Sequence, residues 1–348
     1  ACVYPSGYQT NLGTLGALLD SRDAVFVDRL AHASLVDAAR ATRAALRVFH
    51  HNDPEHLKGL LVRAAGARRR VIVTEGLFSM DGDPAPLGSL ADVADAQGAT
   101  IYLDDAHGAF VLGPSGRGAP EAAGLPHERF LYMGTLGKAL GCQGGFVIGP
   151  RALIDVLQNR SRTFIYTTAL AVPMAAAAVE ALRILEDEPA RRRRVQQLSS
   201  RLHARLAALR SPATTSSASH IVPIIVGDTA RALTLAQALW GQGLWAPAIR
   251  PPTVPEGSAR LRLSVTALHT EEQVDALADA LEQSIVSATT HGGPSATTHW
   301  RTRADPPKQC GGRHAVWRAP STANHVRVDV ATCRKETYAQ PAAYPRVV

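Results

Sequence analysis

Residues 70–105 read RVIVTEGLFSMDGDPAPLGSLADVADAQGATIYLDD, and this stretch decides the fold class. The apolar runs RVIVTEG (70–76) and ATIYLDD (99–105) are typical of buried strands, and PLGSLADVADAQG (86–98) predicts a helix that ends at a glycine cap. A strand, a helix and a second strand in this order form the repeating unit of a parallel sheet covered by helices. We therefore predict an α/β fold.

Two more strands and two long helices are predicted after this unit. FLYMGT (130–135) and GGFVIG (144–149) have the apolar character of strands, and helical patterns run through 167–187 and 189–209. The second of these helices contains a run of arginines, which we expect to form a solvated helix face. The first half of the chain thus predicts a large domain with a mainly parallel sheet.

A smaller α/β unit is predicted closer to the C-terminal end. It consists of a strand, a helix, two strands and a helix, at 220–228, 229–243, 245–252, 259–266 and 270–285. The pattern predicts three regions, namely a large domain at 1–175, interdomain helices with a small domain at 176–286, and a disordered basic tail at 287–348. The tail is rich in Ser, Thr, Pro, Gly and Arg, so it buries too little apolar surface to offset the entropy of ordering.

The net charge of +7 is concentrated in this tail, where nine Lys and Arg stand against three acidic residues. Because the rest of the chain is near neutral, we expect no nucleic-acid partner. No apolar run is long enough to span a bilayer and no signal-peptide pattern is visible, so we expect a cytoplasmic protein without membrane contact. The four cysteines lack C-x-x-C spacing, which favours free thiols over a zinc site or a disulfide framework.

Polar side chains follow two of the predicted strands. Asp104, Asp105 and His107 come at the end of ATIYLDD, and Lys138 lies in GTLGKALGCQGG (134–145), just after FLYMGT. Ligand sites of parallel sheets lie at the carboxyl ends of strands, so these residues are expected to face a crevice. Simpler interpretations stay open, because such an aspartate can cap the next segment and a loop lysine is usually solvated. A metal site is disfavoured, since no third ligand has suitable spacing.

Two chemistries use a lysine among glycines. A phosphate-binding loop of the Walker type needs G-x-x-x-x-G-K followed by Ser or Thr, but Ala139 follows Lys138 and Tyr132 stands where the first glycine is required. A pyridoxal-phosphate enzyme instead pairs a Schiff-base lysine with an aspartate that keeps the pyridine nitrogen protonated. Lys138 and a carboxylate after the earlier strand supply this pair, so pyridoxal 5'-phosphate is the predicted cofactor.

A phosphate site is then expected, and the opening stretch YPSGYQTN (4–11) offers one. Ser6, Gly7 and Tyr8 precede a segment that can continue as a helix. Free amides at a helix start bind phosphate, and glycine lets the backbone approach closely. Because S-G-Y is also common in ordinary turns, this prediction depends on the other motifs.

Several motifs follow one another in order along residues 1 to about 286: SGYQTNLG, DRLAHASLVDAAR, HNDPEHL, TEGLFSMDGDPAPL, DDAHG, GRG, TLGKALG and RPPTVPEGSARLRLSVTALH. The series resembles the α-oxoamine synthases. These are fold-type I pyridoxal-phosphate enzymes that condense an amino acid with an acyl thioester and release carbon dioxide. The resemblance implies a transferase fold with a large, mainly parallel domain and a smaller C-terminal α/β domain.

The resemblance also implies roles for individual residues around the cofactor ring. Lys138 would be the Schiff-base lysine, and Asp104 the partner of the pyridine nitrogen. His107 would lie near the phenolic oxygen, His32 would stack on the ring face, and Ser79 would hydrogen-bond near the ring oxygen. Without the resemblance, the single histidine of AHASL and the serine of FSMDGD would be taken as structural.

The phosphate and the second subunit are implied in the same way. Gly7, Tyr8 and Thr135 would hold the phosphate, while Thr167 and Thr168, in IYTTAL, would reach it from the neighbouring subunit. The active site would therefore lie at a homodimer interface.

Substrate choice is predicted from the strand ARLRLS and its approach. Arg262 would bind the amino-acid carboxylate, a bidentate role that suits a guanidinium, although an outward-facing strand arginine has the same pattern. RPPTVPEGSARLRL is most similar to family members that join L-alanine to a pimeloyl thioester of coenzyme A or a carrier protein. A glycine-using member, such as a glycine C-acetyltransferase, stays open.

An inactive remnant of the fold is the other alternative. Family members carry a segment before the phosphate loop, and we expect this chain to lack it. Such a remnant would keep the motifs without turnover, and its basic tail would bind polyanions.

Overall fold

Alternating strands and helices build two sheets in a computed structural model that describes residues 1–208 and 219–290. The first sheet contains β1 Cys2–Tyr4, β2 Ala24–Asp28, β3 Ala45–Phe49, β4 Arg70–Glu75, β5 Thr100–Asp104, β6 Phe130–Thr135 and β7 Gly145–Ile148. The second contains β8 Ile221–Gly227, β9 Ala248–Ile249 and β10 Ala259–Ser264. The helices are α1 Gly7–Leu18, α2 Ala33–Ala41, α3 Pro54–Val62, α4 Leu87–Gln97, α5 Ala119–Ala122, α6 Arg151–Arg160, α7 Arg162–Ile165, α8 Val172–Asp187, α9 Ala190–Ala208, α10 Thr229–Gly241 and α11 Glu271–Thr290, with a 3₁₀ turn at His127–Arg129.

The first sheet is mainly parallel, as predicted. Its strand order is β1-β7-β6-β5-β4-β2-β3, and β3, β2, β4, β5 and β6 pair in parallel. β7 runs antiparallel to both of its neighbours, β6 and β1. Since the parallel strands share one direction, the loops after β4, β5 and β6 meet at one edge, where ligand sites of such sheets lie.

Helices cover both faces of this sheet, because successive side chains of each strand point to opposite sides. In β2, Ala24 and Phe26 pack into one apolar cluster with α3 and α4, whereas Val25 and Val27 pack into another with α1, α2 and α6. Strands buried on both faces read as continuous apolar runs, which explains RVIVTEG and ATIYLDD. The predicted helix cap is confirmed, since Gly98 ends α4 in the left-handed conformation.

The second sheet is antiparallel, with the order β8-β10-β9. Its apolar cluster is completed by α9, α10 and α11, which contribute Leu202, Leu239 and Leu281 among others. The predicted boundary between a large and a small domain near residue 175 stays a prediction.

Three element predictions differ from the structure. The helix expected from residue 167 begins only at Val172, with Pro173 in its first turn. The strand expected at 245–252 shrinks to β9, because Pro251 and Pro252 supply no backbone N–H to a ladder. The last helix continues to Thr290, beyond the predicted end at 285. The predicted tail after residue 290 lies outside the described residues.

The arginine run of α9 was expected to be a solvated face, and this is wrong at one position. Arg191 and Arg193 are exposed and Arg194 is half-buried, but Arg192 is only 9% exposed. Since neighbours on a helix point about 100° apart, a run of four residues has members on more than one face. In the described ranges, no helix is long and apolar enough to cross a membrane.

Candidate active site

Two buried carboxylates meet at the carboxyl ends of β4 and β5. Glu75 and Asp104 lie opposite each other in the parallel register and are 3% and 5% exposed. Burial and the neighbouring Asp104 raise the pKa of Glu75. Sequence reasoning found Asp104 and missed Glu75, although TEG also places a carboxylate at a strand end.

Asp104 is held in place by two donors. Its Oδ2 atom accepts a hydrogen bond from Asn11 Nδ2 at 2.8 Å, and its Oδ1 atom accepts one from the Ala106 N–H at 3.0 Å. Asn11, 1% exposed, is itself oriented because its Oδ1 atom accepts a 2.8 Å hydrogen bond from the Tyr102 hydroxyl. Asn11 was also missed, since a helix residue far away in sequence reaches this carboxylate only through the tertiary fold.

Lys138 projects from the loop after β6. A hydrogen bond from the Gly141 N–H to its carbonyl closes a tight turn at 3.0 Å, and Gly141 has a φ of +62°. The side chain is exposed to the cleft. Burial by the surrounding protein nevertheless lowers the pKa of the amine, and the carboxylates of Asp104 and Glu75 oppose that shift only in part.

One of the glycines that follow Lys138, Gly145, is required by close packing. A Cβ atom on Gly145 would lie 2.4 Å from Thr10 Oγ1 and 2.9 Å from the Cα atom of Gly7. β7 therefore approaches the start of α1 closely only because residue 145 is glycine.

The first turn of α1 forms one wall of the cleft. Ser6 caps the helix by accepting a hydrogen bond from the Gln9 N–H at 3.2 Å, which leaves the earlier amides, those of Gly7 and Tyr8, without partners inside the helix. A Cβ atom on Gly7 would lie 3.0 Å from Met133 Cε. On the facing strand, Thr135 donates to the Gly144 carbonyl at 2.9 Å. An anion is stabilised by such a helix N-terminus.

His32 and Tyr8 lie at the rim. The backbone N–H of His32 donates to Glu75 Oε1 at 2.7 Å, and the ring Nδ1 lies 2.7 Å from the hydroxyl of Ser34. Tyr8 is 43% exposed and donates its hydroxyl proton to Asp37. The imidazole of His32 is thus fixed at the N-terminus of α2, exposed toward the cleft.

His107 is a neutral imidazole at physiological pH. Burial, together with the positive charges of Lys138 and Arg262, lowers its pKa to about 2. It can donate or accept a hydrogen bond without carrying charge.

The structure brings most of the predicted residues into one cavity of about 200 Å³. It is lined by Gly7, Tyr8, Asn11, His32, Ser34, Glu75, Asp104, Ala106, His107, Met133, Thr135 and Lys138. Ser79, Thr167, Thr168 and Arg262 are not part of this lining. Arg262 lines a second, adjoining cavity together with His107 and Lys138, and its Nε atom donates to the Ser79 carbonyl at 2.5 Å. Thr167 is half-buried and Thr168 is exposed.

The turn that carries Ser79 is braced by a partly buried ion-pair network. His51 lies 2.9 Å from Asp28 through Nδ1 and 2.8 Å from Asp83 through Nε2. Burial alone would lower the pKa of His51, but these two hydrogen-bonded carboxylates outweigh it and raise the pKa to about 10. His51 is therefore a cation that fixes the segment before Asp83 to the end of β2.

His51→Gln is expected to lower the free energy of unfolding by about 3 kcal/mol at pH 7, because it leaves Asp28 buried without its cation. The pKa of His51 is raised on folding from 6.5 to about 10. The charged ring therefore contributes fully to the free energy of unfolding below about pH 6.5, and this contribution disappears as the pH rises toward 10. Urea unfolding at pH 7 and pH 10 measures this. The difference in the free energy of unfolding between the wild type and the variant should be smaller at pH 10 than at pH 7.

His50→Gln is the matched control, since the His50 side chain is 58% exposed and lies 3.6 Å from Asp53. We expect this change to lower the free energy of unfolding by less than about 0.5 kcal/mol. Equal effects of both substitutions would show that the His51 network does not brace the turn.

Comparisons with known proteins give consistent results. The model of the class I and II aminotransferase family matches residues 1–281. The chain is 48% identical over 283 residues to the 8-amino-7-oxononanoate synthase of Anaeromyxobacter dehalogenans, covering 81% of this chain and 71% of that protein. It is 46% identical over 283 residues to that of Aromatoleum aromaticum, covering 81% and 73%.

Two solved structures have the same fold. Serine palmitoyltransferase of S. paucimobilis, with bound pyridoxal phosphate, superposes with a TM-score of 0.79 at 31% identity, covering 83% of this chain and 73% of that one. The 8-amino-7-oxononanoate synthase of Francisella tularensis gives a TM-score of 0.73 at 27% identity and covers 83% of each chain.

Proposed function

Because the chain belongs to the class I and II aminotransferase family, we propose that it is an 8-amino-7-oxononanoate synthase, a fold-type I pyridoxal-phosphate enzyme of biotin biosynthesis. It joins L-alanine to a pimeloyl thioester, from coenzyme A or a carrier protein, and releases carbon dioxide. The observation that carries this proposal is the convergence of an amine, a buried carboxylate and a helix N-terminus on one cavity. The identity to synthases of this name supports the choice within the family.

The residues of the cavity fit pyridoxal 5'-phosphate. Gly7 and Tyr8 offer backbone amides to a phosphate, and a Cβ atom on Gly7 would lie 3.0 Å from Met133 Cε, so glycine keeps this end of the cleft open. Asp104 is a buried carboxylate suited to a protonated pyridine nitrogen, and Lys138 is the amine that would hold the cofactor's carbonyl carbon. When bound, the cofactor supplies an electron sink next to the amino-acid Cα.

Lys138 is the group that moves the proton at the alanine Cα. Its lowered pKa increases the fraction of free amine at neutral pH, which favours a general base. His107, with a pKa of about 2, is too weak a base for this task, and as a neutral ring it would hydrogen-bond to the cofactor's phenolic oxygen. Arg262, which lines the second cavity beside Lys138 and His107, would bind the alanine carboxylate.

The bonds formed and broken in this reaction balance without a further reactant. A carbon–carbon bond forms between the alanine Cα and the thioester carbonyl carbon, and the thiol leaves with a proton. The alanine carboxyl group leaves as carbon dioxide, and a proton takes its place. Apolar residues of the second cavity, such as Phe110 and Leu185, offer the acyl chain a surface to pack on.

A homodimer completes the site in this proposal. Thr167 and Thr168 would contact the phosphate bound by the partner subunit, which agrees with their position outside the cavity of their own chain. Around them, Tyr166 and Val172 are 73% and 80% exposed, and apolar side chains exposed in this way favour an interface. A cytoplasmic location stays a prediction.

Release of free thiol from pimeloyl-CoA tests the function. The purified chain is loaded with pyridoxal phosphate and supplied with L-alanine, glycine or L-serine. We expect release with L-alanine to exceed release with the other two amino acids. Preference for glycine would favour a different family member. No release with any amino acid, despite bound cofactor, would contradict the proposal and favour the inactive form of the fold.

A further inference from the structure

The second cavity is apolar and contains an excess of cations. It has a volume of about 550 Å³ and shares Ala106, His107 and Lys138 with the cofactor cleft. Its charged lining consists of Lys138, Arg191, Arg192 and Arg262, and in the part of the chain that the structure describes no Asp or Glu lines it. The histidines add no charge, since burial and nearby cations lower the pKa of His107 to about 2 and that of His220 to about 4.

Three of the four cations have an evident partner or role. Lys138 belongs to the cofactor, and Arg262 to the amino-acid carboxylate. Arg191 donates to Glu188 at 2.7 Å and is 54% exposed. Only Arg192, among these four cations, has no such partner or role.

Arg192 is buried and has no anionic partner among residues 1–208 and 219–290. Its Nη1 atom donates to the Leu185 carbonyl at 2.7 Å, and its Nη2 atom lies 3.5 Å from the Pro114 carbonyl. Its Nε atom is buried without any hydrogen-bond partner. A buried guanidinium without a carboxylate is costly. Since Arg192 lines the second cavity, an anionic ligand there would offset this cost through the remaining N–H groups of Nη1 and Nη2.

The backbone makes space for this side chain. Gly116 has a φ of +81°, and a Cβ atom there would lie 2.9 Å from Arg192 Cδ and 3.1 Å from its Nε. The loop before α5 can therefore pass close to the guanidinium only with glycine at this position.

We propose that Arg192 binds the carboxylate at the far end of the pimeloyl chain and so selects a dicarboxylic acyl donor. The inference depends on the function proposed above. The thioester end lies at Lys138, the methylene chain packs on the apolar lining, and the remote carboxylate receives the donors of Arg192 that the protein leaves free. A guanidinium matches a carboxylate with two parallel hydrogen bonds.

The test compares pimeloyl-CoA with heptanoyl-CoA, which has a methyl group in place of the remote carboxylate. In the wild type loaded with pyridoxal phosphate, kcat/KM with L-alanine should be higher for pimeloyl-CoA by about 10–100-fold. Arg192→Met should remove this preference by lowering kcat/KM for pimeloyl-CoA while leaving kcat/KM for heptanoyl-CoA unchanged. Arg192→Lys, which keeps a positive charge, should retain part of the preference. Arg193→Met, an exposed arginine of the same helix, should keep the wild-type preference.

Arg192 could instead only tie α8 to the loop at Pro114. In that case Arg192→Met would lower kcat/KM by the same factor for pimeloyl-CoA and for heptanoyl-CoA, and the inference would be wrong. If the wild type turns over neither donor, the proposed function fails, and calorimetric titration of the cofactor-loaded protein with pimelate and heptanoate decides the inference separately. Pimelate binding no tighter than heptanoate, or equally tight to wild type and Arg192→Met, overturns it.

Discussion

Replacement of Lys138 by alanine is expected to lower kcat for alanine-dependent thiol release by at least about 10²–10⁴-fold, the range of a positioned acid–base group. Two other titratable side chains of the cleft, His107 and Asp104, are poor substitutes. His107 has a pKa of about 2, and Asp104 is engaged by two donors. Within the described residues that line the cleft, Lys138 is the amine available for the proton of the amino acid.

The fold should not change with this substitution, because Lys138 lies in an exposed loop and its side chain projects into the cleft rather than into an apolar cluster. Thermal unfolding of both proteins checks this. Lys138→Arg keeps the charge but has no accessible deprotonated form, so it should be as inactive as the alanine variant. Borohydride treatment should add the mass of the cofactor to the wild type only. Activity within tenfold of the wild type in either variant would remove Lys138 from the chemistry.

The sequence predicts this fold well wherever a local pattern is sufficient. Strands buried on both faces need continuous apolar runs, so β4 and β5 were evident, and Gly98 marked the end of α4 because the left-handed cap favours glycine. Asp104 and Lys138 follow strand ends, where the geometry of parallel sheets collects functional groups. The homologous motifs then added His32 and Thr135, which have no local pattern of their own.

The parts that could not be predicted depend on contacts between distant segments. Asn11 reaches Asp104 across 93 positions of sequence, so nothing near either residue indicates the pair. Arg192 belongs to a run of arginines that resembles a solvated face, and only the packing of α9 against the loop at Gly116 buries it. Glu75 is different, because the strand-end rule that found Asp104 applies equally to TEG.

Asp104→Asn is expected to lower turnover by about 10²-fold or more while the chain still folds. The carboxylate is buried and accepts from two donors, Asn11 Nδ2 and the Ala106 N–H. An asparagine has one acceptor oxygen in place of two, so one of these donors would face an amide NH₂ group. An unsatisfied buried donor costs about 1–3 kcal/mol, and urea unfolding should show that loss.

Loss of the Asp104 charge has an effect separate from the loss of the hydrogen bond. The carboxylate stabilises the ammonium form of Lys138, so its removal should lower the pKa of that amine further and shift the acidic limb of the pH–rate profile to lower pH. Asn11→Ala is the matched comparison, because it removes the donor at 2.8 Å and leaves the charge. We expect it to weaken turnover less than Asp104→Asn and to leave the limb near its wild-type position. If Asp104→Asn retains wild-type kcat and pH profile, the buried carboxylate only supports the fold, and the assignment of the cofactor's nitrogen partner must move to Glu75.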